Sequence, residues 1–253
     1  MTCWSLPIRN PIERKLRQFT IFSDEERRVL DAASGEGTCT YAAREDIEQE
    51  GSKPNGVRVI LAGWTCRYKL LADGRRQIIS FLLPGDVCEL YVDIIHELDH
   101  SVAALTPASV ARISSASLNS AMGQHPRLAQ ALIWERIVTA AIQREWTINL
   151  GQRSAFERVA HLLCELFVRL RGIGLVQNRR CELPLTQTDL ADATGLSAIH
   201  INRTLQELRR QDLITLGGKE LYIPKFKSLA DAAGFNDKYL HIKYPNDESS
   251  NLR

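Results

Sequence analysis

The 253-residue sequence predicts an α+β protein with an N-terminal antiparallel β-roll, a long helix and a C-terminal winged helix-turn-helix. Short β-branched runs broken by glycines fill residues 37–113, a long helical pattern follows Pro126, and a helix-turn-helix spacing lies at 187–204. The predicted segments are a roll at 1–125, a long helix with a hinge at 126–151, a winged helix at 152–234 and a flexible tail at 235–253.

The N-terminal half combines short helices with strands. Residues 13–33 have a helical pattern, and Ser23-Asp24 is the start expected for a second helix. Glycines at intervals through residues 37–113 suit the corners of a compact roll, and Asp73-Gly74 predicts a hairpin turn. An N-terminal β-roll follows from this pattern.

The helix predicted at 126–150 carries two apolar stripes, whereas a surface helix needs one. We expect one stripe to form the interface with a second copy of the chain, and the alternative is a helix buried inside one domain. The residues predicted for this interface are Leu128, Leu132, Thr139, Ile142 and Trp146. The other stripe consists of Ile133, Ile137, Ala140, Ala141 and Ile148.

Residues 187–204, QTDLADATGLSAIHINRT, have the spacing of a DNA-binding helix-turn-helix. Gly195 supplies the turn and Ser197 caps the next helix. Two short apolar runs around Gly217-Gly218 predict a wing, which favours DNA binding over an incidental helical hairpin in a larger core. The predicted DNA contacts are Thr188, Ser197, Ala198, Ile199, His200, Asn202, Arg203, Gln206 and Lys219.

The charge distribution agrees with this prediction. The formal net charge is only +2, but residues 151–230 hold 12 Lys and Arg against 8 Asp and Glu. The basic excess therefore falls on the segment that contains the helix-turn-helix, as contacts with DNA phosphates would favour.

Cysteine use and hydropathy predict a cytoplasmic protein without membrane contact. The N-terminal residues lack the apolar run of a leader peptide, and no membrane-spanning run is evident. The six cysteines form no CxxC pair and no framework spacing, so we expect reduced thiols, with a redox role for one of them as the alternative.

The order of roll, long helix and winged helix resembles the Crp/Fnr family of bacterial transcription regulators over about residues 15–230. The resemblance is most specific in PLTQTDLADATGLSAIHINRTLQELRRQDLI and extends to FLLPGD at 81–86 and DHSVAALT at 99–106. It implies a homodimer that binds palindromic double-stranded DNA and recruits or blocks RNA polymerase.

The resemblance also locates an effector site, at which this chain departs from the family pattern. In members that bind cyclic AMP, a Gly-Glu pair holds the ribose and an Arg-Ser pair neutralises the phosphate. The corresponding residues here are Glu89-Leu90 and His100-Ser101. A neutral imidazole lacks the permanent charge and bidentate fork of arginine, so the sequence predicts against cyclic AMP as the effector.

No other cofactor is expected. Family members with an iron–sulfur cluster have several closely spaced N-terminal cysteines, and here Cys3 alone lies near the start. The roll is therefore predicted to respond to an effector that the sequence does not identify, or to act without one.

The recognition helix departs from the family pattern as well. Arg203 matches the arginine of the family, which suits guanine O6 and N7. Ile199 replaces a glutamate that commonly accepts a hydrogen bond from cytosine, and it can instead meet a thymine methyl. The half-site of better-known members therefore does not transfer to this chain.

Two alternatives use other features. His96-Glu97-Leu98-Asp99-His100 satisfies HExxH, which predicts a metal-dependent hydrolase if the segment is helical. The alternating apolar pattern after His100 argues instead for a strand. The second alternative is a sensor module that acts through protein partners without binding DNA.

Overall fold

The computed structural model describes residues 10–35 and 37–242. Its helices are α1 (Pro11–Leu16), α2 (Asp24–Gly35), α3 (Ser115–Gln124), α4 (Pro126–Gln152), α5 (Ala155–Gly172), α6 (Gln187–Thr194), α7 (Ala198–Arg210) and α8 (Phe226–Ala233). Its strands are β1 (Thr38–Tyr41), β2 (Asp46–Glu48), β3 (Val57–Ala62), β4 (Thr65–Leu70), β5 (Arg76–Leu82), β6 (Ser101–Ala104), β7 (Ala108–Ile113), β8 (Arg180–Glu182), β9 (Thr215–Gly217) and β10 (Glu220–Tyr222).

The described residues form two compact units, one within 10–65 and 82–134 and the other of 66–81 with 135–242. In the first unit, β7 lies between β1 and β3 in an antiparallel sheet, and β2 pairs antiparallel with β6. Apolar residues of α1, α2, β3, β7, α3 and the start of α4 form its core. The antiparallel β architecture predicted for the N-terminal half is confirmed.

The FLLPGD motif acts structurally in this unit. Gly85 has φ +94°, and a Cβ added there would lie 2.4 Å from the carbonyl oxygen of Pro11, so only glycine fits. Asp86 accepts a hydrogen bond from the backbone N–H of Leu83 and forms a buried ion pair of 2.8 Å with Lys15. The turn thereby anchors α1 to the roll.

Helix α5 is the centre of the second unit. It begins with a capping box, in which Ser154 and Glu157 satisfy each other's backbone N–H groups, and nearly all of its middle residues are buried. The rings of Trp146 from α4 and Phe81 pack in a T-shaped arrangement with centroids 5.9 Å apart. The described residues contain no helix long and apolar enough to cross a membrane.

Helix α4 buries the stripe that we predicted for the contact between copies. Leu128, Leu132, Ile142 and Trp146 are buried within the chain, and Thr139 is half-buried with its hydroxyl donating to Glu135. That prediction is wrong for the four buried side chains, because groups inside one chain cannot meet a second copy. The exposed residues on the remaining face are Ile133, Ile137, Ala140, Arg144 and Ile148.

The predicted flexible tail begins too early. A 3₁₀ turn at Asp237–Leu240 covers α5, and Leu240 is buried. The Tyr239 hydroxyl donates to Glu165 at 2.9 Å, and the Trp146 Nε1–H donates to the same carboxylate at 3.1 Å. Residues 235–240 therefore belong to the packed unit, whereas 243–253 lie outside the described residues.

His161 of α5 packs against the aromatic residues of this same segment, and its exposed fraction is zero. Its ring stacks on Tyr239 and meets Phe235 edge-on at 5.0 Å between centroids. Nε2 lies 3.3 Å from Glu145 Oε1, an oxygen that already accepts a 2.6 Å hydrogen bond from Arg153. Burial is the main reason that the pKa of His161 falls to about 3, and the positive charge of Arg153 adds to the effect.

Candidate nucleic-acid interface

The helix-turn-helix is built from local capping signals. Thr186 caps α6 in a capping box with Asp189, and Ser197 caps α7 by accepting from the backbone N–H of His200. Gly195 lies between the two helices with φ +64°, the left-handed conformation that costs glycine least. These caps end one helix and start the next within three residues.

Helix α7 has one buried and one exposed face. Ile201, Leu205 and Leu208 are buried, as their spacing predicts. Of the nine predicted DNA contacts, Asn202 is half-buried and the other eight are exposed. Within the described part of the chain, the Arg203 guanidinium makes no ion pair or hydrogen bond, so it is available to a ligand.

The predicted wing consists of β9 and β10, with Lys219 at the turn between them in a left-handed conformation (φ +65°). The Arg209 guanidinium donates to the carbonyl oxygen of Leu216, which ties the wing to α7. A third strand, β8, pairs with β10 and was not predicted. Burial of Cys181 and Leu183 on either side of exposed Glu182 is the alternating signal that could have located it.

Contacts distant in sequence hold α6 in place, and sequence reasoning missed them. Arg76 of β5 donates from Nε to Asp192 at 2.8 Å and from a terminal nitrogen to fully buried Asp189 at 3.0 Å. The adjacent Gln77 side chain donates to the backbone carbonyl of Asp192 at 2.6 Å. The hairpin of β4 and β5 therefore fixes the first helix of the helix-turn-helix.

The turn is supported from α5 as well. Arg158 donates to the carbonyl oxygen of Thr194 at 2.8 Å and to that of Arg153 at 3.0 Å. One guanidinium therefore bridges the end of α6 and the segment between α4 and α5. Gly151, the last residue of the segment predicted as long helix and hinge, lies within α4, which continues to Gln152.

The candidate effector residues do not form a cyclic-nucleotide site. Leu90 is buried and has no polar side-chain group for a ribose, and Glu89 Oε1 accepts from the backbone N–H of Leu90. His100 lies 2.7 Å from Asp99, and Ser101 Oγ accepts from the backbone N–H of Glu50 at 2.9 Å. A carboxylate stands beside the position that needs a cation for phosphate, so these residues do not fit a cyclic nucleotide.

The HExxH segment lacks the geometry of a zinc hydrolase. Residues 91–100 form turns and bends rather than a helix, so His96 and His100 do not occupy one helix face. The premise of the metal-hydrolase alternative is therefore wrong. Among the described residues, no group of three or more His, Cys, Asp or Glu side chains could hold a metal ion.

The described cysteines are all free thiols. They are Cys39, which is exposed, and the buried Cys66, Cys88, Cys164 and Cys181. Burial raises the pKa of Cys181 to about 12 and also raises the pKa of Cys164, which disfavours the reactive thiolate. Cys3 lies outside the described residues.

Comparison with known proteins agrees with this architecture. Residues 38–125 match the cyclic nucleotide-binding domain family, and residues 157–232 match the Crp-like helix-turn-helix domain family. The nitrogen fixation regulation protein FixK of Bradyrhizobium diazoefficiens is 32% identical over 195 residues, which cover 76% of this chain and 81% of that protein. FixK of Azorhizobium caulinodans is 30% identical over 199 residues, covering 78% and 79% of the two chains.

Further relatives extend the comparison. The transcriptional activator protein FnrL of Cereibacter sphaeroides is 27% identical over 77% of this chain and 79% of its own length. The solved structure of FixK2 from Bradyrhizobium japonicum superposes with a TM-score of 0.68 at 27% identity, covering 78% of this chain and 96% of that one. These matches exclude a sensor module without a DNA-binding domain. The chain belongs to the Crp/Fnr family of DNA-binding transcription regulators and is not an enzyme.

Proposed function

We propose that two copies of this chain bind a palindromic DNA operator, with one α7 helix in each of two successive major grooves. The observation that carries this proposal is the exposed face of α7, with the Arg203 guanidinium, next to a wing whose turn carries Lys219. In helix-turn-helix proteins the second helix enters the major groove, and two half-sites lie about one helical turn apart. The proposed base and phosphate contacts are the nine exposed or half-buried residues named above.

The proposed contact between copies is the exposed stripe of α4. Its members, at positions 133, 137, 140, 144 and 148, lie three or four residues apart and so share one face. Ile133, Ile137 and Ile148 are each about half exposed, at 46–47%, and form an apolar row on a helix that is buried on its other side. Pairing this stripe with its copy would remove all three from water.

The oligomeric state tests this contact directly. Ile137→Glu would place a carboxylate in the centre of the interface, so we expect a monomer by sedimentation velocity where the unchanged protein is a dimer. Ile94→Glu is the matched control, because Ile94 is 76% exposed and lies outside α4. A dimer that persists in Ile137→Glu would refute this interface and leave DNA binding to be tested separately.

Sequence-specific binding is tested at Arg203. We expect Arg203→Ala to cost about 1–3 kcal/mol on the operator and to relax one base position in a selection from random DNA. Arg210→Ala is the matched control, since Arg210 lies on the same helix but pairs with Glu207. An equal loss on random DNA would make Arg203 a phosphate contact instead of a base contact.

We propose RNA polymerase as a further partner, because the family resemblance implies control of transcription. We also propose that the protein acts in the cytoplasm. Cyclic-nucleotide control is not part of the proposed function, since the residues at 89–90 and 100–101 do not fit that ligand. DNA selection with and without cell extract tests whether a soluble effector is needed. Selection of the same operator in both conditions would argue for effector-independent binding.

A further inference from the structure

Ile199 exposes a large aliphatic group on the DNA-binding face. It is the second residue of α7 and is 67% exposed, whereas the other exposed residues along this helix are polar or, as with Ala198, small. Such a group gains free energy when a ligand removes it from water. In the major groove the apolar feature of a base edge is the 5-methyl group of thymine.

Asn202 lies three residues further along the same face, and its carboxamide is held by a neighbour. Nδ2 donates to Gln187 Oε1 at 3.5 Å, a contact between the two helices of the helix-turn-helix. A carboxamide has two N–H donors and one acceptor oxygen, so this contact leaves one N–H and Oδ1. That pair matches the N7 acceptor and N6 donor of adenine.

The spacing of these side chains fits adjacent base pairs. Three residues of α-helix rise about 4.5 Å, which lies between one and two of the roughly 3.4 Å steps between successive base pairs, so the two side chains can reach neighbouring base pairs. We assign no base to His200 here, because its Nδ1 lies 3.3 Å from Ser197 Oγ and its ring is held at the start of the helix.

We propose that Ile199 contacts a thymine methyl and that Asn202 reads an adenine in the same half-site, with Gln187 as the positioning residue for the Asn202 amide. This inference rests on the proposed operator binding and specifies its base content. The operator half-site then contains a thymine and an adenine at neighbouring positions, beside the guanine that Arg203 contacts.

The thymine contact is tested by removing single methyl groups from the DNA. An operator is first selected from random duplexes, and each thymine is then replaced by deoxyuridine in fluorescence-anisotropy titrations at fixed salt. In each half-site, we expect one of these single replacements to weaken binding about four-fold, which corresponds to the free energy of burying one methyl group. Ile199→Ala should bind the thymine and the deoxyuridine duplexes equally. The control is Ile94→Ala, at an exposed isoleucine outside α7, and this variant should still bind the thymine duplex about four-fold more tightly.

The adenine contact is tested by removing one acceptor atom. Replacing the adenine with 7-deazaadenine should weaken binding by the unchanged protein and leave Asn202→Ala unaffected. Asn202→Ala itself should lose about 5- to 150-fold of its preference for adenine at this position. Gln187→Ala should broaden selection at the adenine alone, and Gln187→Glu, which keeps an acceptor oxygen, should restore the preference.

The outcomes separate this inference from the proposed function. A selected operator in which no deoxyuridine replacement matters, or in which Ile199→Ala keeps the same loss, would overturn the thymine contact while operator binding stands. An operator with no adenine preference that depends on Asn202 would overturn the amide contact. Failure to select any sequence would refute operator binding itself, and with it this inference.

Discussion

The buried imidazole of His161 predicts that the protein loses stability in mild acid. A neutral histidine in the folded chain, with its pKa lowered to about 3 by burial and by Arg153, resists the proton that the unfolded chain accepts near pH 6.5. The unfolded state therefore binds more protons between these values. The stabilisation is complete above pH 6.5 and declines as the pH falls from 6.5 towards 3.

The magnitude follows from this interval. Each pH unit below 6.5 costs about 1.4 kcal/mol, so the free energy of unfolding should fall by about 2 kcal/mol between pH 7.5 and pH 5 because of this residue. Glu145 would oppose the effect, since its Oε1 lies 3.3 Å from the ring, but the same oxygen is paired with Arg153. Burial therefore decides the sign.

Urea unfolding at 25 °C at both pH values measures the effect, with His161→Phe as the reference. Phenylalanine keeps an aromatic ring between Phe235 and Tyr239 and does not titrate. The contributions of other groups are common to both proteins and cancel in the comparison. An equal loss of stability in the wild-type protein and in His161→Phe would refute the reasoning.

Three further substitutions test contacts in the second unit. Tyr239→Phe removes one donor to the buried Glu165 and should lower the free energy of unfolding by about 1.5–3 kcal/mol, measured by urea denaturation. Arg76→Ala removes the guanidinium that pairs with buried Asp189, and we expect a comparable loss together with faster hydrogen exchange in α6. Gly195→Ala forces a side chain into a left-handed conformation and should cost about 1–2 kcal/mol in thermal or urea unfolding.

Each of these substitutions has a matched control. Tyr222→Phe removes a hydroxyl at the wing, away from Glu165, and should leave stability nearly unchanged. Arg75→Ala removes a neighbouring but exposed guanidinium. Equal rates of hydrogen exchange in α6 for Arg75→Ala and Arg76→Ala would contradict the proposal that Arg76 holds this helix. Asn tolerates the left-handed conformation better than Ala, so Gly195→Asn should be the milder change, and the reverse order would argue against a conformational cost.

Local signals account for what was predicted correctly. Ser197, Gly195 and Ser23 act on backbone groups within three residues, so the caps and turns can be recognised without knowing what packs nearby. The alternating strands and the helical period at 126–152 are likewise properties of short windows. The order of roll, long helix and winged helix followed from these signals and from the family motifs.

The choice between equivalent surfaces depended on contacts between distant residues. Both stripes of α4 are apolar in sequence, and the packing of Trp146 against Phe81 and Glu165 decided which one is buried. Arg76 lies 113 residues before Asp189, and no periodicity links the two. Tyr239 follows a polar stretch whose sequence is typical of a flexible tail. The hydrogen bond from its hydroxyl to a buried carboxylate is visible only in the tertiary structure.

The amino-acid sequence alone specified the element types, the helix-turn-helix and the residues exposed on its second helix, because capping and hydrophobic period act over a few residues. Tertiary structure decided which face of α4 stays open, what holds α6, and that residues 235–240 close over α5. These three features depend on which side chains pack together in the interior. An apolar surface is buried only by another surface, and the residues of that other surface can lie anywhere along the chain.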